Sequence, residues 1–359
     1  MDVPLRDGDR TGALHERVRD AIARGATLAI RGSGSKGFLG KASAGEPLDV
    51  REHAGIVAYA PGELVVTARG GTRLADLEAV LAENGQMLAF EPPHFGAGAT
   101  LGGTIACALS GPRRASAGAA RDFVLGVRML DGRGERLRFG GEVIKNVAGY
   151  DLSRLMTGAF GTLGVLLDVS LRVVPRPRAE TTRVIELDAA AALQRVRAWA
   201  LRPLPVSATA ILGGRLHVRL SGAESAVGSA AAAIGGESVD DGFWRALREH
   251  ELDFFADPRA LWRLSVAPAT PIADGYGAQL IEWNGAQRWM KTDAQPTAVR
   301  ALAAGAGGHA TLFRAGSPSP PADGVFHPLP AALFALHRRL KAEIDPHRIF
   351  NRDRLYPGL

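Results

Sequence analysis

The chain has 359 residues, of which 46% are hydrophobic and 22% charged, and its formal net charge is +6. This composition is typical of a soluble globular protein with room for two domains, each with its own core. A single cysteine, Cys107, excludes a disulfide framework and a cysteine cluster that ligates zinc or iron–sulfur. No apolar run is long enough to span a bilayer and the charged N-terminus lacks a signal core, so we expect a cytoplasmic protein.

The positive charge invites a nucleic-acid interpretation, but its distribution argues against one. Only five of the 43 basic residues are lysine, the arginines are spread along the chain, and aromatic residues make up only 6%. Binding platforms for bases need aromatic side chains interleaved with basic clusters. We therefore expect a spread of surface arginine and no nucleic-acid partner.

The first half of the chain mixes helix and strand patterns. Hydrophobic spacing predicts a helix over 12–24 that ends at Gly25, followed by a buried strand over 26–31. Further predicted elements are strands over 55–59 and 64–69, a helix over 72–85 with Thr72 as N-cap, a short helix after 101, a hairpin over 123–139, and an alternating strand over 163–173 whose odd-numbered residues share one face. Pro175 and Pro177 end this unit, so we expect a domain boundary near 175–180.

The second half predicts an α+β domain with an antiparallel sheet and helices on one face. The patterns that favour it are strand, helix, strand and strand over 180–222, a helix over 226–236, strands over 261–268, 277–292 and 310–316, and a helix over 329–345.

The strand over 26–31 runs into a loop, GSGSKG at 32–37, whose glycines have the G-x-G-x-x-G spacing. It is not a P-loop, because Phe38 and Leu39 stand where Lys and Ser or Thr would reach phosphate and magnesium. It is not a Rossmann fingerprint either, because Gly40 and Gly45 break any helix after the third glycine. Alone, this loop is as typical of a plain turn as of a ligand site.

Three glycine-dense segments, at 31–40, 96–111 and 158–164, each lie at the end of a strand or the start of a short helix. Glycines let backbone N–H groups converge on an oxyanion without Cβ atoms in the way. Hydroxyl donors are added by Ser33, Ser35, Thr100 and Thr104. Three such loops favour a long anionic ligand over a single phosphate.

Three segments in order, IRGSGSK (30–36), GATLGGTIACALSG (98–111) and AGYDLSRLMTGAFGTLGVLLDVSLRVVP (148–175), resemble the FAD-binding domain of the vanillyl-alcohol oxidase family, also called the p-cresol methylhydroxylase (PCMH) type. The resemblance covers about residues 5–175. It implies an α+β fold in which two subdomains clamp an extended FAD (residues 1–175), a smaller α+β domain with an antiparallel sheet (176–340), and a C-terminal segment that returns to the flavin (341–359).

Within that family, IRGSGSKGFLG (30–40) and EWNGAQRW (282–289) are most similar to FAD-binding subunits of glycolate oxidase complexes. The resemblance implies an FAD-dependent oxidoreductase subunit that acts on a small 2-hydroxy acid together with a larger homologous FAD subunit and an iron–sulfur subunit. It implies noncovalent FAD, because the first loop lacks the family's flavin-linked histidine. The histidine-rich metal motif of larger relatives has no counterpart, so no metal is expected. The chain should not span a membrane, and association with one through its partners stays open.

The resemblance also implies cofactor-binding residues in all three loops and near the C-terminus. They are Arg31, Gly32, Ser33, Gly34, Ser35 and Lys36; Thr100, Leu101, Gly102, Gly103, Thr104, Cys107 and Gly111; Gly161, Thr162, Gly164 and Val165; and Asn351. Lys145, Asn146, Tyr150 and Asp151 lie in the polar approach to the ring, where Lys145 is a candidate to stabilise the anionic hydroquinone. An equally good interpretation is a solvated hairpin end with Asp151 capping a short helix.

The sequence offers two catalytic candidates, Lys145 and Arg288. Arg288 beside Trp283 and Trp289 predicts a carboxylate clamp, a partner surface or plain packing. We interpret Cys107 as a small buried residue in preference to a redox-active one. Three functions follow: an electron-relay subunit, a self-sufficient FAD-dependent 2-hydroxyacid dehydrogenase, and a flavin-free scaffold, against which the intact glycines argue.

Overall fold

The computed structural model describes residues 8–141, 151–316 and 324–359. Lys145, Asn146 and Tyr150 therefore lie outside the described residues. No helix in the described part of the chain has the length and apolar character needed to cross a bilayer.

The described residues of the N-terminal part form six helices and nine strands. The helices are α1 (Thr11–Arg24), α2 (Leu74–Glu83), α3 (Leu101–Cys107), α4 (Arg114–Ala117), α5 (Ala120–Phe123) and α6 (Leu152–Met156), with a 3₁₀ turn at Pro61–Glu63. The strands are β1 (Leu28–Arg31), β2 (Glu46–Asp49), β3 (Ile56–Ala60), β4 (Val65–Arg69), β5 (Gln86–Met87), β6 (Val124–Leu130), β7 (Arg136–Gly140), β8 (Val165–Arg172) and β9 (Val174–Pro175).

The C-terminal part has longer strands. The helices are α7 (Ala189–Ala200), α8 (Glu224–Ile234), α9 (Gly242–Glu249), α10 (Asp253–Ala256), α11 (Pro296–Gly305) and α12 (Ala331–Ile344), with a 3₁₀ turn at Trp283–Gly285. The strands are β10 (Ala179–Glu186), β11 (Val206–Leu212), β12 (Arg215–Gly222), β13 (Glu237–Val239), β14 (Leu261–Ser265), β15 (Ala278–Glu282), β16 (Gln287–Lys291) and β17 (His309–Arg314).

The N-terminal part is built on a five-stranded antiparallel sheet in the order β3-β4-β8-β6-β7, beside the parallel pair β1-β2. The leucine stripe predicted for the second helix, Leu74, Leu77 and Leu81, is buried against this sheet. Helix α1 ends at Gly25 as predicted, because that glycine adopts φ 64 and its N–H closes on the carbonyls of the last turn. The predicted hairpin is β6 and β7.

Two details of these predictions are wrong. Thr72 does not cap α2: its hydroxyl exchanges hydrogen bonds with the backbone of Gly55, and the helix begins at Leu74. The odd-numbered residues of β8 do not share one face. The pairing with β6 changes register so that Leu167 has no counterpart, and this bulge sends Val165 and Leu167 to a different core from the residues that follow them.

The C-terminal part is an eight-stranded antiparallel sheet in the order β13-β10-β12-β11-β15-β16-β14-β17. Helices α7 and α8 cover one face, where Val218 and Leu220 are buried. The prediction of helices on one face is incomplete, because α9 lies on the other: its Trp244 packs with Ala208 of the sheet and with Leu39 of the N-terminal part. The predicted strand over 277–292 is two strands, β15 and β16, joined by the 3₁₀ turn.

A buried ionic network joins the two parts. Glu91 receives hydrogen bonds from Arg113, at 3.2 Å from Nε, and from Arg219 of β12, at 2.9 Å from Nη2. Arg113 also binds Glu180 of β10 at 2.6 Å. Although burial alone would raise the pKa of the Glu91 carboxyl, the two guanidinium groups lower it. Breaking such a network leaves charge unpaired in the interior, so it fixes the relative position of the two sheets.

Residues 345–359 return to the N-terminal part after α12. The N–H of Leu28 binds the carbonyl of Ile349 at 2.7 Å, and the N–H of Asn351 binds the carbonyl of Leu28 at 3.0 Å. Ile349 and Phe350 are buried in the same core as α1. The segment thus lies along β1, at the edge from which the first glycine loop leaves.

Candidate functional site

Segments far apart in the sequence meet around a cavity of about 350 Å³. It is lined by the loop after β1, the start of α3, the turn before β8, and the C-terminal segment. The predicted residues that line it are Arg31, Gly32, Ser33, Gly34, Ser35, Lys36, Thr100, Gly102, Gly103, Cys107, Gly161, Gly164, Val165 and Asn351. The three glycine loops are therefore neighbours in space.

The first loop turns sharply after Arg31. Gly34 adopts φ 79, and the N–H of Gly37 closes on the Gly34 carbonyl at 2.8 Å. Within the described residues, the backbone N–H groups of Ser33, Gly34 and Lys36 have no acceptor. Free donors clustered in one turn in this way form a site for an anion.

The second loop touches the first at Gly32. A Cβ on Gly32 would lie 2.4 Å from the hydroxyl oxygen of Thr100, so only glycine lets the two loops approach this closely. Thr100 is the N-cap of α3, accepting from the N–H of Gly103 at 3.2 Å. Gly102 packs on Gly70, whose carbonyl accepts its N–H at 2.7 Å.

Three predicted residues of this segment do not line the cavity. Leu101 and Thr104 are fully buried in α3, on the side that faces the sheet core. Gly111 lies beyond the helix, where its carbonyl accepts from the indole of Trp283 at 3.1 Å. Helical phase explains the positions of Leu101 and Thr104, because only part of a short helix can face a ligand.

The third loop places Gly161 and Gly164, both with positive φ, in the cavity wall. Thr162 points away: its hydroxyl donates to Ala159 at 2.7 Å, and its carbonyl accepts from the ammonium of Lys341 at 2.5 Å. Thr162 is therefore a positioning residue for the loop. Asp151, predicted as an alternative to be a helix cap, does cap α6, accepting from the N–H of Arg154 at 3.1 Å.

Asn351 ties the C-terminal segment to two of the loops. Its amide donates to the Phe160 carbonyl at 2.7 Å and accepts from the Ile30 N–H at 2.7 Å. Arg354, which sequence reasoning missed, also lines the cavity, and its guanidinium donates to the carbonyls of Leu39 and Lys41. A single arginine in an arginine-rich chain carries no signal that would have identified it.

The inner wall includes Lys36 and Cys107. The ammonium of Lys36 donates to the His94 carbonyl at 3.1 Å, and burial lowers its pKa, partly offset by Cys107 and Glu249. Burial raises the pKa of the Cys107 thiol. A protonated thiol is a weak nucleophile, which favours the packing interpretation of this cysteine.

The cavity suits a long anionic group such as FAD. Three basic side chains line it, Arg31, Lys36 and Arg354, and no carboxylate is among the described lining residues. Free N–H donors lie in the first loop, and the buried hydroxyl of Ser43, also in the wall, has no partner among the described residues. These groups fit phosphate and ribityl oxygens.

Arg288 lies elsewhere, inside the C-terminal sheet. Its guanidinium donates to the carbonyls of Pro271, at 2.6 Å, Thr270 and Gly285. All of these are backbone groups of the same part of the chain, so the side chain is occupied in holding a loop. It does not line the cavity. Lys145 lies outside the described residues.

Aromatic rings fill the space between the C-terminal sheet and the first loop. Phe38 contacts Phe313 with ring centroids 5.3 Å apart, and Phe95 contacts His250 at 5.0 Å. His250 is in turn stacked on Phe255 at 3.8 Å. Burial holds the pKa of His250 well below its ordinary value, so this imidazole is neutral.

A second, much smaller cavity lies beside these rings, with a volume of about 20 Å³. The carboxyl of Glu282 lies in its wall, accepting from Trp289 at 2.5 Å and from Gln287 at 3.0 Å. Burial raises the pKa of this carboxyl to about 7, although both hydrogen bonds act in the opposite direction. The space holds about one water molecule.

Comparison with known proteins finds one matching family model and several similar proteins. Residues 9–140 match the family model described as FAD binding domain. The Escherichia coli (strain K12) protein "Glycolate oxidase subunit GlcE" is 50% identical over 355 residues, covering 99% of this chain and 100% of the relative. "Glycolate oxidase subunit GlcD" of Bacillus subtilis (strain 168) is 39% identical over 95 residues, 26% of this chain and 20% of the relative.

Among solved structures, an alkyldihydroxyacetonephosphate synthase superposes with a TM-score of 0.66 at 16% identity, covering 95% of this chain and 74% of the other. At this identity the likeness concerns the fold alone, and together with the match to the FAD binding domain it confirms the α+β fold class expected from the sequence. Identity of one half along the full length of the E. coli subunit shows more: this chain belongs to the GlcE family of glycolate oxidase subunits and carries an oxidoreductase FAD-binding domain.

Proposed function

We propose that this chain is the FAD-carrying relay subunit of a glycolate oxidase complex. It binds FAD noncovalently in the 350 Å³ cavity and passes electrons from 2-hydroxyacid oxidation to an iron–sulfur subunit, alongside a larger homologous flavin subunit. The observation that carries the proposal is the cavity wall, which combines basic side chains, free N–H donors and obligatory glycines. The cytoplasmic location, and domain bounds at 175 and 340, belong to the same proposal.

Each group of the wall has a role in this function. Bound FAD supplies a redox centre that takes up a pair of electrons and releases them singly. The N–H groups of Ser33, Gly34 and Lys36 bind the pyrophosphate, and Arg31 and Arg354 offset its charge. Asn351 holds the first and third loops at a fixed spacing. No histidine is among the described lining residues, which supports noncovalent binding.

The aromatic cluster supports a relay over a self-sufficient dehydrogenase. A substrate needs room inside the protein, and the space of about 20 Å³ beside the aromatic cluster, lined by Glu282, Trp289 and Phe313, leaves room for only one water. The predicted carboxylate clamp, Arg288, is occupied by backbone carbonyls. Substrate oxidation is therefore assigned to the larger flavin subunit.

The first experiment is the visible absorbance spectrum of the purified chain, before and after acid precipitation, and then with glycolate or D-lactate without oxygen. We expect a flavin spectrum that acid releases into the supernatant. Bleaching should require the partner subunits. If substrate bleaches the flavin of the isolated chain, the chain is a self-sufficient dehydrogenase. If the chain is colourless and takes up no FAD, it is a flavin-free scaffold subunit.

A glycine variant tests the location of the cofactor. Gly32→Ala places a Cβ 2.4 Å from the Thr100 hydroxyl and must separate the first two loops. Overpacking of this kind costs about 1–3 kcal/mol, so FAD affinity should fall about tenfold or more. Gly62→Ala is the matched control, because a Cβ there meets nothing within 4 Å. Equal FAD affinity in both variants would place the cofactor elsewhere.

A further inference from the structure

Helix α12 is a long helix with almost no buried face. Of the 14 residues of Ala331–Ile344, only Lys341 is buried. Leu333 is 40% exposed and Leu336 is 50% exposed, and they are two of only five large apolar side chains exposed among the described residues. Large apolar side chains that stand together at the surface mark an interaction site more often than isolated ones do.

The exposed leucines follow helical spacing. Leu333, Leu336 and Leu340 are at i, i+3 and i+7, which places them in one stripe of the helix. The helix is attached to the body by other side chains: Phe334 lies with its ring centroid 6.5 Å from that of Tyr356, and Lys341 points inwards. An apolar stripe at this spacing is the seam that one helix offers to another.

The stripe continues into a groove of about 590 Å³ beside the helix. Its floor is apolar and formed by Leu155, Leu163, Leu340, Leu355 and Leu359. Arg121, Arg154 and His337 form the rest of the groove wall, together with Asp151, which pairs with Arg154 at 3.2 Å. Leucine stripe and groove together form one surface, which we call the α12 face.

The charge around the α12 face is positive. Arg339 is exposed on the helix beside the stripe, three residues after Leu336, and the exposed Glu343 beyond it is paired with Arg133 at 3.3 Å. Arg121 lies across the groove and is also exposed. A partner surface that covers the leucines must therefore bring carboxylates to these guanidinium groups.

The α12 face is also near the cofactor cavity. Behind the stripe, the ammonium of Lys341 donates to the carbonyl of Thr162 at 2.5 Å, within the third glycine loop. Gly161 and Gly164 of that loop line the cavity. A protein that docks on α12 therefore lies against the loop whose other side lines the cavity.

We propose that the α12 face is the docking site for another subunit of the complex, which covers it with an amphipathic helix that carries leucine-like side chains flanked by Asp or Glu. The existence of that subunit rests on the function proposed above. The contact buries Leu333 and Leu336, pairs Arg339 and Arg121 with carboxylates, and holds the partner against the third loop.

The test is co-purification of the full chain with the larger flavin subunit and the iron–sulfur subunit, produced together, with an affinity tag on the iron–sulfur subunit. Leu333→Glu/Leu336→Glu should reduce the amount recovered at least about tenfold, because it places charge in the centre of the contact. Leu201→Glu is the matched control, a leucine 90% exposed at the end of α7, and should be recovered like the wild type. Both variants should keep their FAD content, since neither residue lines the cavity.

A charge variant keeps the proposal testable if the leucine variant folds poorly. Arg121→Glu/Arg339→Glu alters only exposed side chains and should weaken co-purification more at low salt than at high salt. Wild-type recovery of either folded variant would overturn the docking site while leaving the relay function intact. If the wild-type chain itself recovers no partner, the proposed function fails instead. Self-association of the wild type that the leucine variant abolishes would show that a second copy occupies the face, which also overturns the proposal.

Discussion

Lys341 offers the most direct test of how the C-terminal segment is held. Its side chain is 4% exposed, and its ammonium uses all three donors: the Thr162 carbonyl at 2.5 Å, Asp345 at 2.7 Å and the Phe350 carbonyl at 2.8 Å. Asp345 is fully buried and also accepts from the N–H groups of Ile349 and Phe350. One ion pair therefore joins α12, the third loop and the segment beside β1.

Lys341→Met keeps most of the side-chain volume and removes the charge. It leaves the Asp345 carboxylate without a counter-charge and two buried carbonyls without a donor. Removing one member of a buried pair costs about 3–5 kcal/mol, and we expect a loss of about 4 kcal/mol in the free energy of unfolding. Since whole domains are stable by only about 5–15 kcal/mol, the variant should lose a large fraction of its stability.

Urea unfolding followed by circular dichroism measures this loss, with FAD retention as the second readout. Lys41→Met is the control, because Lys41 is exposed and its side chain has no hydrogen bond or ion pair among the described residues; only its backbone groups bond, with Arg354. Lys341→Met/Asp345→Asn removes both charges and should recover part of the loss. A loss below about 1 kcal/mol, or a double variant no more stable than the single one, would refute the buried ion pair.

Two further predictions concern buried groups. Burial raises the pKa of the Glu282 carboxyl from 4.5 to about 7, so the folded state binds the carboxyl proton more tightly than the unfolded state does. The contribution of this carboxyl to the free energy of unfolding is therefore fully present below pH 4.5 and is lost as the pH rises through 7. The free energy of unfolding, measured with urea at a series of pH values, should fall by about 3 kcal/mol over this range in the wild type and not in Glu282→Gln. The same pH profile in both proteins would contradict the prediction. Asn351→Ala leaves the Phe160 carbonyl and the Ile30 N–H unpaired, so stability should fall by about 2–4 kcal/mol and FAD should dissociate faster. Asn84→Ala, at an exposed helix end, should change neither the stability nor the rate of FAD dissociation. An equal FAD dissociation rate in the two variants would show that the Asn351 hydrogen bonds do not help to hold the cofactor.

Much of the fold was predictable because its long elements keep one period. Helix α1 with Gly25, and the leucine stripe of α2, follow from spacing alone. The face of β8 was not predictable, because the bulge at Leu167 depends on pairing with β6, which no local pattern encodes. Thr72 was misjudged because its hydroxyl had a better partner in Gly55, far along the chain.

The candidate site shows the same division between local and long-range causes. The glycine segments could be found from the sequence, because a glycine that answers a steric demand leaves a trace there, as at Gly32. Whether Leu101 or Gly102 faces the cavity depends on the phase of a seven-residue helix, which the pattern did not fix. Arg354 comes from the far end of the chain and resembles every other surface arginine.

The cavity is lined by four separate segments, β1, α3, the third loop and the C-terminal segment. This arrangement affects the stability of the chain before the cofactor binds. A cofactor that touches all four segments stabilises the whole tertiary structure, by an amount that grows with the logarithm of its free concentration. Flavin supply should then set how long a newly made chain survives proteolysis, so that riboflavin starvation depletes the polypeptide itself as well as its colour.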